Sequence, residues 1–151
     1  MITEQLKQIL DASMHNQGFL SYGFSALSRP LTIDFYKDWL NDNLHGDMKY
    51  LEEHFNFKET PQERWPQARS AIVFAMPYLP HPQKRDLPIQ SLKISRYAQG
   101  YDYHFWLKEK LQTLSSQLKE LFPQEEFLCF TDSSPVLERD LAQRAGLGWF
   151  G

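Results

Sequence analysis

The chain has 151 residues, of which 42% are apolar and 15% aromatic, and its 16 basic and 19 acidic side chains give a net charge of −3. This composition predicts one globular domain and argues against a strongly basic nucleic-acid-binding protein, although a local basic patch is compatible with it. No stretch approaches the roughly 18 consecutive apolar residues of a membrane span, and the N-terminus lacks the apolar core of a secretory signal. We therefore expect a cytosolic (cytoplasmic) protein with no membrane partner.

The cysteine and histidine content limits the metal chemistry that the chain can carry. Its one cysteine, Cys129, lies in an apolar run, so an intramolecular disulfide and a cysteine-ligated iron–sulfur site within this chain are both excluded. The five histidines show no metal-ligand spacing, so no protein-ligated metal is expected. A glycine-rich phosphate loop after a strand and a nucleophile elbow are also missing from the sequence, which argues against nucleotide binding and hydrolase chemistry.

Apolar spacing predicts the first elements of the chain. A helix is expected over residues 4–16, with Thr3 as a possible cap and Gly18 as its end. In the following residues, 19–27, apolar side chains alternate with polar or small ones, as is typical of a strand. The side of this strand that we expect to face the core carries Leu20, Tyr22, Phe24 and Ala26.

Short helices are expected next. Thr32 can cap a helix that ends near residues 45–46, and a second short helix is expected over 48–54. The sequence Thr60-Pro61-Gln62-Glu63 matches a capping box and predicts a brief helical turn. The continuous apolar run at 71–76 is typical of a central strand that is covered on both faces.

The second half of the chain begins with a proline-rich segment. Four prolines between residues 77 and 88 predict a surface loop, and residues 93–97 are expected to be extended. Asp102 can cap the longest helix, over residues 103–121, which Pro123 ends.

The last part of the sequence predicts a strand, then a carboxylate, then a helix. The short apolar run 127–130 indicates a buried strand, although periodicity alone leaves a helical segment open. Ser134-Pro135 is typical of a helix start, with Leu137, Leu141 and Ala145 on one face and Gly146 at the end. The predicted fold class is α+β, with a mixed β-sheet flanked by helices in a single domain over residues 1–151.

Two polar clusters could carry chemistry. Asp132 follows the predicted strand and precedes a helix, where functional carboxylates commonly lie, although Asp-Ser-Ser is also ordinary turn chemistry. The segment 95–104 combines a hydroxyl, a guanidinium, three phenols, an acid and an imidazole. These groups could bind a polar ligand, or they could be a helix cap with exposed polar neighbours.

Two blocks of residues together carry a resemblance to a known family. One comprises Asp132, Ser133, Pro135, Glu138, Arg139, Ala142, Ala145 and Gly146-Leu147-Gly148-Trp149; the other comprises Ser95-Arg96-Tyr97-Ala98 with Gly100 and Asp102-Tyr103-His104. Both resemble the epoxyqueuosine reductases, the cobalamin-dependent enzymes that complete queuosine in tRNA. Matches are spread over most of residues 45–151, whereas residues 1–44 agree in pattern only.

The resemblance implies a fold, cofactors and partners. The fold would be similar to the cobalamin-binding domain of these reductases and of reductive dehalogenases. The family holds base-off cobalamin, with its tail base detached from cobalt, and draws electrons from two 4Fe–4S clusters. Its substrate is a tRNA anticodon stem-loop that carries epoxyqueuosine at the wobble position. The electron donor would be external to this chain or lie in a C-terminal module.

The resemblance also implies roles for single residues. Asp132 falls on the proposed proton donor, which would have to be protonated near neutral pH through desolvation against the corrin. Tyr103, His104 and Arg139 fall on positions expected to contact substrate. Lys58 stands where the family commonly has arginine. The residues expected to contact cobalamin are Lys58, Ser95, Arg96, Tyr97 and Asp132.

The chain departs from the family pattern at its C-terminus. The family continues with further cofactor-binding residues and a ferredoxin-like module whose cysteines ligate both clusters, whereas this sequence stops at Gly151. We therefore expect a fragment or truncated paralogue that lacks turnover by itself. Two other interpretations stay open: a non-catalytic cobalamin-binding or interaction module, and an enzyme similar to reductive dehalogenases.

Overall fold

The computed structural model describes residues 2–77, 95, 101–132 and 134–150. The described elements, in chain order, are α1 (Ile2–Gln17), β1 (Ser21–Ala26), α2 (Ile33–Asn41), α3 (Tyr50–Glu53), α4 (Phe55–Glu59), a 3₁₀ turn (Pro61–Glu63), β2 (Ser70–Ala75), α5 (Tyr103–Leu121) and α6 (Glu138–Arg144). This content confirms the α+β class, whereas the sheet within the described residues is two-stranded and antiparallel rather than mixed as predicted. The predicted loop at 77–88 and the predicted extended segment at 93–97 lie outside the described residues, apart from Pro77 and Ser95.

The chain folds as two units, of which the first comprises Met1–Leu20 with Met76–Thr131. In this unit α1 packs against α5, and the core between them includes Leu10, Phe19, Leu114 and Leu118. Both helices confirm their predictions. Gly18, at φ +76°, ends α1, but Thr3 lies inside the helix rather than at its cap.

The predicted strand at 127–130 is absent from the first unit. These residues adopt no regular structure, and Leu128 and Phe130 are 50% and 37% exposed. A strand needs a neighbour to satisfy its backbone hydrogen bonds, and β1 and β2 are the two paired strands within the described ranges. The apolar run therefore stays irregular.

The second unit comprises Ser21–Ala75 with Asp132–Gly151 and contains the sheet. Strands β1 and β2 pair antiparallel, from Ser21 opposite Ala75 to Ala26 opposite Ser70. The β2 strand is confirmed, but five of its six residues are only half-buried and the sixth is exposed. Within the described residues β1 is its one partner, so the prediction of a central, fully covered strand is wrong for this part of the chain.

The buried side of β1 is opposite to the predicted one. Gly23 and Ser25 are buried, whereas Phe24 is 51% exposed. The cause is helix α6, which packs on β1. A Cβ atom at Gly23 would lie 2.1 Å from the carbonyl oxygen of Ala145, so the side that faces the helix has room for glycine but not for an aromatic ring. The predicted core stripe, which also included Leu20, Tyr22 and Ala26, is therefore wrong.

The short helices of the second unit follow the predictions only in part. The predicted helix at 48–54 is shortened to α3, and α4 follows it directly. The 3₁₀ turn at Pro61–Glu63 is confirmed, but Thr60 makes no capping side-chain hydrogen bond. The amide of Gln62 instead donates to the carbonyls of Leu27 and Ala68. None of the helices in the described ranges combines the length and apolarity that a bilayer crossing requires.

Helix α6 begins later than Ser134-Pro135 predicts. Its first residue is Glu138, because the residues before it form a bend in which the Val136 amide donates to the Ser134 carbonyl at 2.8 Å. The predicted end is confirmed, since Gly146 adopts φ +76° directly after the helix.

Candidate functional site

Asp132 lines a pocket of about 270 Å³ in the second unit, which we call the Asp132 pocket. Its side chain is exposed. The bend before α6 and the first turn of this helix form most of the lining, and Thr32 and Phe150 complete it. The full set of lining residues is Thr32, Asp132, Val136, Leu137, Glu138, Arg139, Asp140 and Phe150. Two predicted site residues, Asp132 and Arg139, thus share one pocket.

Arg139 supplies positive charge to the pocket. Its side chain is exposed, and the guanidinium carbon lies 4.9 Å from the centroid of the Phe150 ring. A cation over an aromatic face is attracted by the electrons of the ring. The pocket therefore combines a guanidinium and an aromatic surface with the carboxylates of Asp132 and Glu138, which suits a polar ligand.

Lys58 lies behind the wall of the pocket. This side chain on α4 is buried, and its Nζ is 3.5 Å from the Val136 carbonyl oxygen and 5.5 Å from the centroid of the Tyr36 ring. Burial lowers the pKa of Lys58, and the nearby Glu138 carboxylate opposes this shift. Because Val136 and Glu138 line the pocket, the amine supports the wall, and its direct contact with a cofactor stays a prediction.

Tyr36 lies next to Lys58. Its hydroxyl donates to the Leu51 carbonyl at 2.8 Å, and its ring stacks on Phe55 with centroids 6.3 Å apart. Burial, and secondarily the proximity of Tyr50, raises the pKa of Tyr36 to about 12. The phenol therefore stays neutral beside the lysine at physiological pH.

Asp140 is a pocket residue that sequence reasoning missed. It is 1% exposed, and its Oδ1 lies 2.7 Å from Nε of Arg144. Its Oδ2 accepts hydrogen bonds from the backbone amide and the hydroxyl of Thr32, at 3.0 and 3.1 Å. The available signal was the spacing of four residues between Asp140 and Arg144, beside the buried Leu141, which places an ion pair on the packed side of a helix.

The predicted substrate residues of the first unit lie at the start of α5. The Tyr103 and His104 rings stack with centroids 4.2 Å apart. Asp102 accepts from the His104 backbone amide at 2.9 Å and lies 2.7 Å from its Nδ1, and these bonds lower the pKa of Asp102, with the backbone bond the largest cause. The helix-cap interpretation is thus confirmed for Asp102, while the substrate roles of Tyr103 and His104 stay predictions.

The remaining predicted cofactor residues are only partly described. Ser95 is exposed, and Arg96 and Tyr97 lie outside the described residues. Across the described ranges, no three His, Cys, Asp or Glu side chains come together to hold a metal ion. Burial raises the pKa of the half-buried Cys129, and a hydrogen bond with Ser115 opposes this shift.

Comparison with known proteins identifies relatives of the chain. Residues 58–133 match the family model described as "Epoxyqueuosine reductase QueG, DUF1730". The chain is 37% identical to the epoxyqueuosine reductase of Francisella cf. novicida (strain Fx1), over 98% of this chain and 43% of that protein. It is 41% identical to the one from Cyclobacterium marinum, over 76% and 37% of the two chains, and 36% identical to the one from Escherichia coli (strain K12), over 75% and 31%. The chain therefore spans less than half the length of these relatives.

A solved structure shares the fold. The chain is similar to a protein described as "Crystal structure of selenomethionine-labeled epoxyqueuosine reductase", with a TM-score of 0.70 and 24% sequence identity. The match covers 99% of this chain and 40% of that one.

Proposed function

The chain belongs to the epoxyqueuosine reductase family, and from that premise we propose that it forms the cobalamin-binding, proton-donating part of an enzyme that reduces epoxyqueuosine to queuosine at the tRNA wobble position. The observation that carries this proposal is the Asp132 pocket, where the proposed proton donor and Arg139 meet. Because Cys129 is the one cysteine in the sequence, the two 4Fe–4S clusters of the family would be held outside these 151 residues, and the electrons would arrive from there.

Asp132 would act on the oxygen of the epoxide. Reduction of the epoxide to an alkene takes up two electrons and two protons and releases the oxygen as water. Breaking the first C–O bond leaves negative charge on this oxygen, and a carboxylic acid beside it can neutralise that charge by donating its proton. The side chain is exposed in this chain, so the desolvation that keeps such an acid protonated would come from the bound ligands.

The lining of the pocket supports a contact with part of base-off cobalamin. The guanidinium of Arg139 and the Phe150 ring suit a ligand with an apolar macrocycle, amide groups and a phosphate, whereas the amine of Lys58 lies behind the wall. The volume of about 270 Å³ is below the roughly 300–1,000 Å³ of sites that enclose a drug-sized ligand, and cobalamin is larger than such a ligand. The Asp132 pocket would thus form one wall of the site. When bound, cobalamin would supply the electrons for C–O cleavage.

The RNA would be held by local contacts rather than by overall charge, because the net charge of the chain is −3. Arg139 is exposed at the pocket and can bind a phosphate through charge-assisted hydrogen bonds. Tyr103 and His104, at the start of α5, present rings on which unpaired bases could stack. We propose these three residues as contacts of the anticodon stem-loop.

Replacement of the proposed proton donor tests the chemistry. The Asp132→Asn variant keeps the shape of the side chain but cannot supply the proton. With cobalamin bound and a chemical reductant present, we expect single-turnover reduction of epoxyqueuosine RNA to slow by roughly 10²–10⁴-fold. The visible spectrum of bound cobalamin should change little, because the variant retains the pocket.

The exposed Asp38 provides a matched control. The Asp38→Asn variant makes the same chemical change on α2, outside the pocket lining, and should react at the wild-type rate. An Asp132→Asn variant as fast as wild type would refute the proton-donor role. Cobalamin binding without any reduction by the wild-type chain would favour the non-catalytic module. Reduction of an organohalide but not of the epoxide would favour an enzyme similar to reductive dehalogenases.

A further inference from the structure

Asp140 is a buried carboxylate to which the proposed chemistry gives no role. Both of its oxygens are engaged, Oδ1 with Arg144 at 2.7 Å and Oδ2 with Thr32 at 3.0 and 3.1 Å. A buried ion pair contributes little net stability, because the loss of hydration of two charges offsets much of their attraction. The two hydrogen bonds that Oδ2 accepts from Thr32 are directional, and they are better suited to fixing one arrangement of the segments that they join.

The contacts of Asp140 and Arg144 join α6 to two other segments of the second unit. Thr32 directly precedes α2, so Asp140 ties the first turn of α6 to the N-terminus of that helix. Arg144, in the last turn of α6, donates through Nη1 to the carbonyl of Ala26 and to the hydroxyl of Ser28, each at 3.0 Å. Polar contacts therefore hold α6 near both of its ends.

Such contacts matter because α6 is short. Its seven residues are too few for a stable isolated helix, and no side-chain hydrogen bond caps its N-terminus. Glu138 and Arg139 are its first two residues, and both line the Asp132 pocket. The place of Arg139 in the pocket therefore depends on how α6 is held.

We propose that Asp140 is a positioning residue, which fixes α6 so that Arg139 meets the RNA substrate at the Asp132 pocket. This inference rests on the proposed function, because it takes the tRNA anticodon stem-loop as the ligand of Arg139. Asp140 touches neither the RNA nor the epoxide. It acts through Arg139, its neighbour in the chain, and through Thr32.

A double-mutant cycle tests the inference. The probe is an RNA hairpin with the sequence of the anticodon stem-loop, bound to the cobalamin-loaded protein. We expect Arg139→Ala and Asp140→Asn each to weaken its binding about tenfold, as loss of one arginine contact does. The double variant should bind no more weakly than Arg139→Ala alone, because Asp140 then has nothing left to position. Loss of a negative charge would by itself strengthen RNA binding. The expected weakening therefore cannot result from the change in net charge.

Hydrogen exchange without RNA gives a second readout. The Asp140→Asn variant should speed amide exchange both in α6 and at Thr32, because a neutral amide oxygen accepts weaker hydrogen bonds from Thr32 than the carboxylate does. Thr32→Ser keeps the amide and the hydroxyl and should leave exchange and RNA binding unchanged. Thr32→Val, which removes only the hydroxyl contact, is the milder variant if Asp140→Asn does not fold. The exposed Asp38→Asn variant controls for the change in charge.

Three results bear on the inference in different ways. If Asp140→Asn weakens RNA binding equally with and without the Arg139 side chain, Asp140 only stabilises the fold. This result would overturn the inference. Unchanged exchange in α6 would overturn it as well. If the wild-type protein binds no hairpin, the proposed function fails, while the exchange data still decide whether Asp140 holds α6 at the N-terminus of α2.

Discussion

Lys58 and Tyr36 form a pair in which each side chain has a perturbed pKa. The lysine amine lies 5.5 Å from the tyrosine ring, and burial is the largest cause of both shifts, downward for the lysine and to about 12 for the tyrosine. The lysine amine also contacts the Val136 carbonyl oxygen in the wall of the Asp132 pocket. The stability of the second unit at alkaline pH therefore depends on the titration of Lys58 and Tyr36.

The raised pKa of Tyr36 predicts a loss of stability in base. The unfolded phenol releases its proton near pH 10, whereas the folded one holds it until about pH 12. Between these values the folded state binds more protons, so the free energy of unfolding falls as the pH rises. We expect wild type to lose more stability between pH 9 and pH 11 than Tyr36→Phe does, as measured by urea denaturation.

The same comparison isolates Tyr36 from Lys58. The lowered pKa of the lysine has the opposite effect: the free energy of unfolding rises with pH, because the lysine binds more protons in the unfolded state. Wild type and Tyr36→Phe both contain this lysine, so its effect is the same in the two proteins. At pH 9 the variant should be less stable by about 0.5–1.5 kcal/mol, since it loses the hydrogen bond to the Leu51 carbonyl. Identical pH dependence of the two proteins would show that Tyr36 does not titrate as described.

At the scale of elements, the contact between β1 and α6 depends on Gly23. A methyl group there would lie 2.1 Å from the Ala145 carbonyl oxygen, and a backbone atom cannot move aside as a flexible side chain can. We expect Gly23→Ala to lower the free energy of unfolding by about 3 kcal/mol, the upper end of the range for overpacking. Urea denaturation at neutral pH measures this change.

Gly148→Ala is the matched control for this substitution. A Cβ at Gly148 would meet no atom within 4 Å, and the residue is exposed. Its replacement should change the free energy of unfolding by no more than about 0.5 kcal/mol. Equal effects at the two glycines would contradict the close packing of α6 on β1.

Local signals made some elements predictable from sequence. The bounds of α5 follow from the Asp102 cap and from Pro123, and the structure places the helix at Tyr103–Leu121 with the capping bond formed. Gly18 and Gly146 likewise mark helix ends, and both adopt positive φ. These features depend on residues a few positions apart, which a single sequence displays directly.

Features set by distant residues were not predictable. The buried side of β1 is decided by α6, more than a hundred positions along the chain, and the alternation of aromatic residues gave the opposite side. The hydrogen-bond partner of Asp140, Thr32, is 108 positions away, so no local pattern in the sequence indicated this contact. The roles of Asp132 and Arg139 came from family resemblance, and the structure adds that they share a pocket.

At the scale of the whole molecule, the chain represents part of a larger family architecture. It covers 31–43% of three relatives named epoxyqueuosine reductase. Each of its two units carries predicted site residues, with Lys58, Asp132 and Arg139 in one and Ser95, Tyr103 and His104 in the other.

Titration of the protein with cobalamin tests the claim that this chain binds the cofactor beside Asp132. We expect the visible spectrum to shift to the base-off form and to saturate near one cofactor per chain. A spectrum that remains that of free cobalamin at every protein concentration would contradict the claim.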